Sequence, residues 1–284
     1  MNPPKKAFAG CLAAYGDSDA VLFGAPFETG GLPQAGTAVA PFAIRDGCWG
    51  LETYSPYLRA DIGDYKIFDA GDLDLPPGDA ARALDAIESF CGKVFDDGKM
   101  PVMVGGEQIV AFGAVRAAAA RCPNLAVLHF GAHAGLKREW RKEPLAAQTV
   151  IRRIWELVGD GRIFQFGVRS GGQDEFSWAM DHVRIEAFDA NSIDSCAEAI
   201  ISRPIYITVD LDVINPSELP GAPLQEAGGM SFRSLHDALT SLRGFDVVGF
   251  DICGLAPNLD PSGASTALSR KLLREMLIAF SPTR

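Results

Sequence analysis

Asp210 and Asp212 close the run Ile205-Tyr206-Ile207-Thr208-Val209. Side chains alternate along an extended chain, so both carboxylates point to one side. Two carboxylates on one face at the mouth of a buried strand are costly unless they are paired, hydrogen-bonded or metal-bound. Two uses stay open: they hold a divalent cation, or they cap neighbouring helices and meet a lysine or arginine. His133, within Gly131-Ala132-His133-Ala134-Gly135, is a further donor. Taken alone it reads more simply as a hydrogen-bonded structural histidine. Positions 131, 133 and 135 share one face, but 131 and 135 are glycines, which offer space and backbone only. Gly105-Gly106-Glu107-Gln108 and Asp251-Ile252-Cys253-Gly254 also end apolar runs. In open α/β sheets, ligands bind at the loops that follow the carboxyl ends of strands. These four ends are the candidate site.

The elements that position them are legible as alternating patterns. Apolar, β-rich runs occupy 21–24, 66–70, 101–104, 125–130, 163–168, 205–209 and 247–250. Most are apolar throughout, which suits parallel strands covered on both faces. Between them, 79–97 carries Leu84, Ile87, Cys91, Val94 and Phe95 at helical spacing, with Gly98 where the helix stops. Ser231 can cap a helix over 231–243, and Ser262 one over 262–280. Repeated β-then-α predicts one three-layer α/β/α domain spanning 1–284. The charge run Lys137 to Glu143 reads as a solvated loop entering a helix.

The bulk composition excludes more than it names. The chain has 284 residues and a formal net charge of −10, which argues against non-specific nucleic-acid binding. No apolar run reaches the roughly 20 residues of a membrane helix. The stretch after Lys5-Lys6 is too short and too soon acidic for a signal peptide. The six cysteines form no C-x-x-C pair and read as reduced core thiols. The cytoplasm is the expected location, with no membrane or nucleic-acid partner.

Several motifs in order carry a resemblance. Gly24-Ala25-Pro26-Phe27-Glu28-Thr29-Gly30, followed by Gly36, Pro41 and Ile44-Arg45, is similar to the N-terminal motif of the ureohydrolases, the arginase and agmatinase family. Asp69-Ala70-Gly71-Asp72 and Gly167-Val168-Arg169-Ser170 resemble two further motifs. Asp210-Leu211-Asp212-Val213-Ile214-Asn215-Pro216, with Pro220-Gly221 and Gly228-Gly229, is similar to the family signature, and Asp251 to Pro257 with Asp260 and Thr266-Ala267 to its last block. The resemblance runs from about residue 21 to 280, and collinear motifs are far more specific than any one alone.

The resemblance implies an arginase-like domain with a mostly parallel eight-stranded sheet, usually in a trimer or hexamer. It implies guanidino hydrolysis by hydroxide bridging two manganese ions. Carried over position by position, the family's ligands fall on Gln108, Gly131, His133, Gly135, Asp210 and Asp212, so only His133, Asp210 and Asp212 keep a ligand side chain. The substrate-binding glutamate falls on Gly254, the signature's third aspartate on Asn215, and a proton-handling histidine near Ala147. From these losses we expect a ureohydrolase fold without binuclear manganese chemistry, serving a binding, regulatory or assembly role in a widened cavity. It would assemble as a homo-oligomer or beside an intact ureohydrolase. The alternative is a divergent hydrolase of amidine or guanidine C–N bonds with one divalent metal, manganese first, on His133, Asp210 and Asp212. A third reading is metal-free, with Lys137 or Arg138 supplying positive charge.

Overall fold

Eight strands, most of them largely apolar, form the central sheet of the computed structural model, which describes Met1 and residues 3–282. They are β1 (Ala20–Ala25), β2 (Ile67–Asp72), β3 (Met100–Gly105), β4 (Ala126–Phe130), β5 (Ile163–Val168), β6 (Arg184–Ala187), β7 (Ile205–Asp210) and β8 (Val247–Cys253). Their order across the sheet is β2-β1-β3-β8-β7-β4-β5-β6, and every neighbouring pair is parallel. The resemblance implied a mostly parallel sheet; it is parallel throughout. β8, the last strand in the chain, sits between β3 and β7.

Neighbouring residues along each strand feed opposite cores, as strand alternation requires. Leu22, Val104, Leu128 and Ile207 face one layer with helices α1 (Ala40–Asp46), α6 (Ile193–Ile200), α7 (Phe232–Ser241) and α8 (Ala264–Phe280). Phe23, Met103, Val127 and Tyr206 face the other with α2 (Ala80–Asp96), α3 (Val110–Arg121), α4 (Val150–Val158) and α5 (Gln173–His182). The three-layer α/β/α expectation therefore holds, because the strands inside the edge strand β6 are buried on both sides.

The helix starts follow capping chemistry. Asp79 accepts from Arg82 N at 3.1 Å, and Ser231 accepts from Ser234 N at 3.0 Å. At α8 the expected Ser262 cap is displaced: Gly263 occupies the cap position with φ 75°, and Asp260 accepts from Ser265 N at 2.7 Å. Strand β6 was not foreseen. It is a short edge strand with no buried residue and two charges in four residues, so it lacks the apolar run that marked the others.

The N-terminal motifs serve the scaffold. Arg45 on α1 puts Nε 2.9 Å from Asp69 Oδ2 and also bonds Asp72. Asp69, fully buried, accepts from Phe8 N at 2.8 Å and Gly71 N at 2.9 Å. The guanidinium thus neutralises the Asp69 carboxylate that β2 carries into the core and also meets the exposed Asp72 at the strand end.

Candidate functional site

The four strand ends meet at one edge of the sheet, where β3, β8, β7 and β4 are consecutive neighbours. Asp212 is the hinge of the arrangement. Its Oδ1 accepts from Ala132 N at 2.8 Å, its Oδ2 lies 2.6 Å from His133 Nδ1, and its N donates to Asp210 Oδ1 at 3.2 Å. The three surviving ligand positions are therefore one contact chain, His133–Asp212–Asp210. Burial pushes the His133 imidazole toward the neutral form, but the Asp212 carboxylate outweighs it, and the net shift is upward. Asp210 is pushed well above the ordinary carboxylate range, first by burial and then by the neighbouring Asp212 charge.

Beside this chain a second, neutral network fills the site. His129, fully buried on β4, has Gln108 on one ring nitrogen and Gln165 on the other. Gln165 Nε2 donates to His129 Nδ1 at 3.0 Å and to Ala134 O at 2.9 Å. A neutral imidazole has one donor and one acceptor, so the proton sits on Nε2. Gln108 Nε2 is placed 2.7 Å from that nitrogen, and because two donors cannot bond each other the amide is assigned with its oxygen turned to the ring. Burial holds His129 at about 4, so it stays uncharged at neutral pH. Sequence reading missed His129 and Gln165, because both lie inside apolar strands that look like core.

The three glycines at lost positions are closed by their surroundings. A Cβ at Gly131 would stand 2.3 Å from His129 Nε2. One at Gly254 would stand 2.1 Å from Asp210 Oδ1, and Gly254 has φ 82°. Gly135, at φ 64°, would bring a Cβ to 3.1 Å from Ile151. These are positions a side chain cannot enter without rearrangement.

The donor set can now be tested against two manganese ions. Gln108, Gly131 and Gly135 supply no carboxylate or imidazole, and Gln108 is committed to His129. Among the described residues, no three His, Cys, Asp or Glu side chains converge to hold a metal ion. His133 Nδ1 faces Asp212 rather than an open position. The residues as arranged fit neither the binuclear centre nor the expected single-metal triad of His133, Asp210 and Asp212.

Two cavities adjoin these groups. A water-sized recess of about 20 Å³ is lined by Glu107, Gln108, Ala147, Asp210, Asp212 and Gly254, among others. The expected widening is absent, since the glycine space is taken up by His129, Asp210 and Ile151. A larger cavity of about 510 Å³ is lined by His133, Gly135, Lys137, Trp140, Arg141 and Glu175, among others. Leu224 borders both. Ala147 stands on the recess wall, as its alignment suggested. Asn215 does not: its amide donates to Ser217 Oγ at 2.7 Å, and it lines neither cavity.

Two further side chains hold the site together. Glu107, 1% exposed, accepts from Thr29 N and Thr29 Oγ1, each at 2.7 Å, and ties the N-terminal motif to the recess. Arg169 donates to the carbonyls of Asp212 and Glu226, each at 2.8 Å, and to Val213 at 3.2 Å, so it fixes the signature loop. The motif Gly-Gly-Glu-Gln marked the first; nothing in the spacing marked the role of the second.

A parallel α/β/α sheet with this signature loop at its carboxyl edge defines a ureohydrolase-type domain. The chain belongs to the arginase family, whose model matches residues 18–279. It is 36% identical over 279 residues to an agmatinase of Bacillus anthracis, covering 97% of this chain and 96% of that protein. Among solved structures it resembles a putative agmatinase from Clostridium difficile, with TM-score 0.91, 36% identity and coverage of 94% of this chain and 99% of that one. The agmatine ureohydrolase of Thermoplasma volcanium gives TM-score 0.89 and 29% identity, covering 97% and 94%. These likenesses correct the expectation that hydrolysis has been exchanged for a binding, regulatory or assembly role. Full-length relatives at 35–36% identity are named agmatinases, and the chain stands with the family's hydrolases. Among the described residues, no helix is long and apolar enough to cross a membrane.

Proposed function

We propose that the chain hydrolyses a C–N bond of a linear amidine, with the guanidino group of agmatine the first substrate to test. The observation that carries this reading is the 36% identity to an agmatinase across 97% of the chain. The site's chemistry supports it. Asp212 and Glu107 bring carboxylates to the recess wall beside Asp210, whose carboxyl burial holds toward the neutral form, and acceptors of this kind suit a planar cation at the recess mouth. The larger cavity leaves room for an alkyl tail beside Pro33 and Leu224.

His133 is held through Nδ1 by Asp212, so Nε2 is the nitrogen left to take a proton from water. Water adds to the guanidino carbon, the bond to the alkyl nitrogen breaks, and that nitrogen leaves as the amine with the proton returned to it. Urea is the other product.

The experiment is urea release from agmatine, measured with manganese supplied and again after chelation, against Asp212→Asn. Release well above that variant in either condition supports the reading. No release from agmatine or from a guanidino acid in both conditions overturns it.

A further inference from the structure

On the α4–α5 face, away from the strand-end carboxylates, one cation has no counter-charge. Arg152 is only 9% exposed, and its guanidinium lies over the Trp178 ring at 3.9 Å and the Trp155 ring at 4.9 Å. Among the described residues its side chain makes no hydrogen bond or ion pair, and its Nε is buried with no partner. Glu156, the acid whose charge acts on it, lies 3.0 Å from Arg153 and is engaged there. Aromatic faces stabilise a guanidinium but satisfy none of its N–H groups.

Arg152 opens onto a recess of about 400 Å³. Lys137 and Arg138, from the charge run, are its other cations, and Glu139, Asp174 and Glu175 its acids. Lys137 and Glu175 cancel each other at 2.6 Å, and Glu175 also accepts from Leu136 N and Gly172 N. Glu139 and Asp174 are exposed side chains. Arg138 is exposed like them, so what remains inside is one unpaired guanidinium with Arg138 as an exposed second cation on the lining.

We propose that this recess is a binding site for a small anion, a carboxylate or a phosphate, held by the N–H edge of Arg152 with Arg138 as the second cation. A buried guanidinium without a partner is a standing cost that a bidentate oxyanion removes. The two indole rings fix the plane of the fork, so little side-chain freedom is lost on binding. The direction of its proton affinity agrees: burial, then the Arg138 charge, push Arg152 below its ordinary value.

The test is thermal unfolding at fixed ionic strength in chloride, acetate or inorganic phosphate. Saturable stabilisation by acetate or phosphate and none by chloride is expected, and the stronger of the two names the source. Arg152→Met should raise the Tm in chloride, because it removes an unpaired buried charge, and should abolish the anion response. Arg138→Gln, a surface change, should weaken that response severalfold and serves if Arg152→Met fails to fold. No saturable response in the unmodified chain, or an unchanged one in Arg138→Gln, overturns the proposal. So does a fall in Tm for Arg152→Met with loss of an oligomer by light scattering, which would place an acid of a second copy on Arg152.

Discussion

His129 occupies the space that a side chain on Gly131 would need: its Nε2 stands 2.3 Å from the Cβ that any other residue would place there. The two positions are on the same face of β4 and its extension, and one has been given up to the other. An aspartate at 131 and the Gln108–His129–Gln165 network therefore exclude each other.

Gly131→Asp should cost about 1–3 kcal/mol in urea denaturation, as overpacking of a filled core does. His129→Ala in the same chain should recover part of it. The combined reversion Gln108→His, Gly131→Asp and Gly135→Asp should still bind fewer than two manganese ions by metal analysis unless position 129 is also made small. Two tight equivalents in the triple variant would refute it.

The pH dependence of hydrolysis should follow His133. The neutral ring is the one able to take a proton, and its pKa lies above the ordinary 6.5 because of Asp212. The acid limb of kcat/KM should accordingly fall above pH 6.5. In Asp212→Asn the carboxylate is gone, so that limb should move to lower pH as the rate drops by roughly 10²–10⁴. A limb that does not move would remove His133 from the proton step.

Glu275 makes a separate prediction about stability. Its side chain is 1% exposed, faces His236 Nε2 at 3.6 Å and bonds Arg274 and Ser55. Burial pushes the carboxyl up, but these partners outweigh it and hold it at about 2. A depressed folded pKa stabilises above the unfolded value and is lost as pH falls through the folded one. Glu275→Gln should thus be destabilised by about 3–5 kcal/mol at neutral pH, leaving Arg274 unpaired. The gap in Tm should be full above pH 4.5 and close as pH falls toward about 2. A constant gap would contradict the ionic origin.

The Arg45–Asp69 pair should behave similarly but without a functional signature. Asp69→Ala leaves the guanidinium buried and Phe8 N unpaired, and a loss of about 3–5 kcal/mol is expected. Arg45→Met with Asp69→Leu should recover most of that loss in a double-mutant cycle.

The sheet and the site's location were legible because unbroken apolar runs ending in glycine and carboxylate announce buried parallel strands with chemistry at their mouths. Asp210, Asp212 and His133 were found by that route, and the structure joins them. What could not be read was compensation. His129 and Gln165 are polar residues inside apolar strands, and their meaning depends on contacts across 36 residues of chain. The glycines at 131, 135 and 254 looked like vacated space; only packing shows that neighbours fill it. Reading loss at those positions as loss of function was the resulting error. A ligand list lifted from a family describes one solution, and it is silent on what the freed volume has been used for.

The position of β8 has a consequence for how the chain comes off the ribosome. β2-β1-β3 and β7-β4-β5-β6 share no strand pairing except through Val247–Cys253. Until those residues emerge, the nascent protein is two half-sheets, each with an open inner edge of unpaired backbone groups. Such edges template intermolecular pairing, so the vulnerable period lasts through most of translation. Release products that stop short of residue 247 should aggregate, whereas those that include β8 and α8 have every strand that closes the sheet.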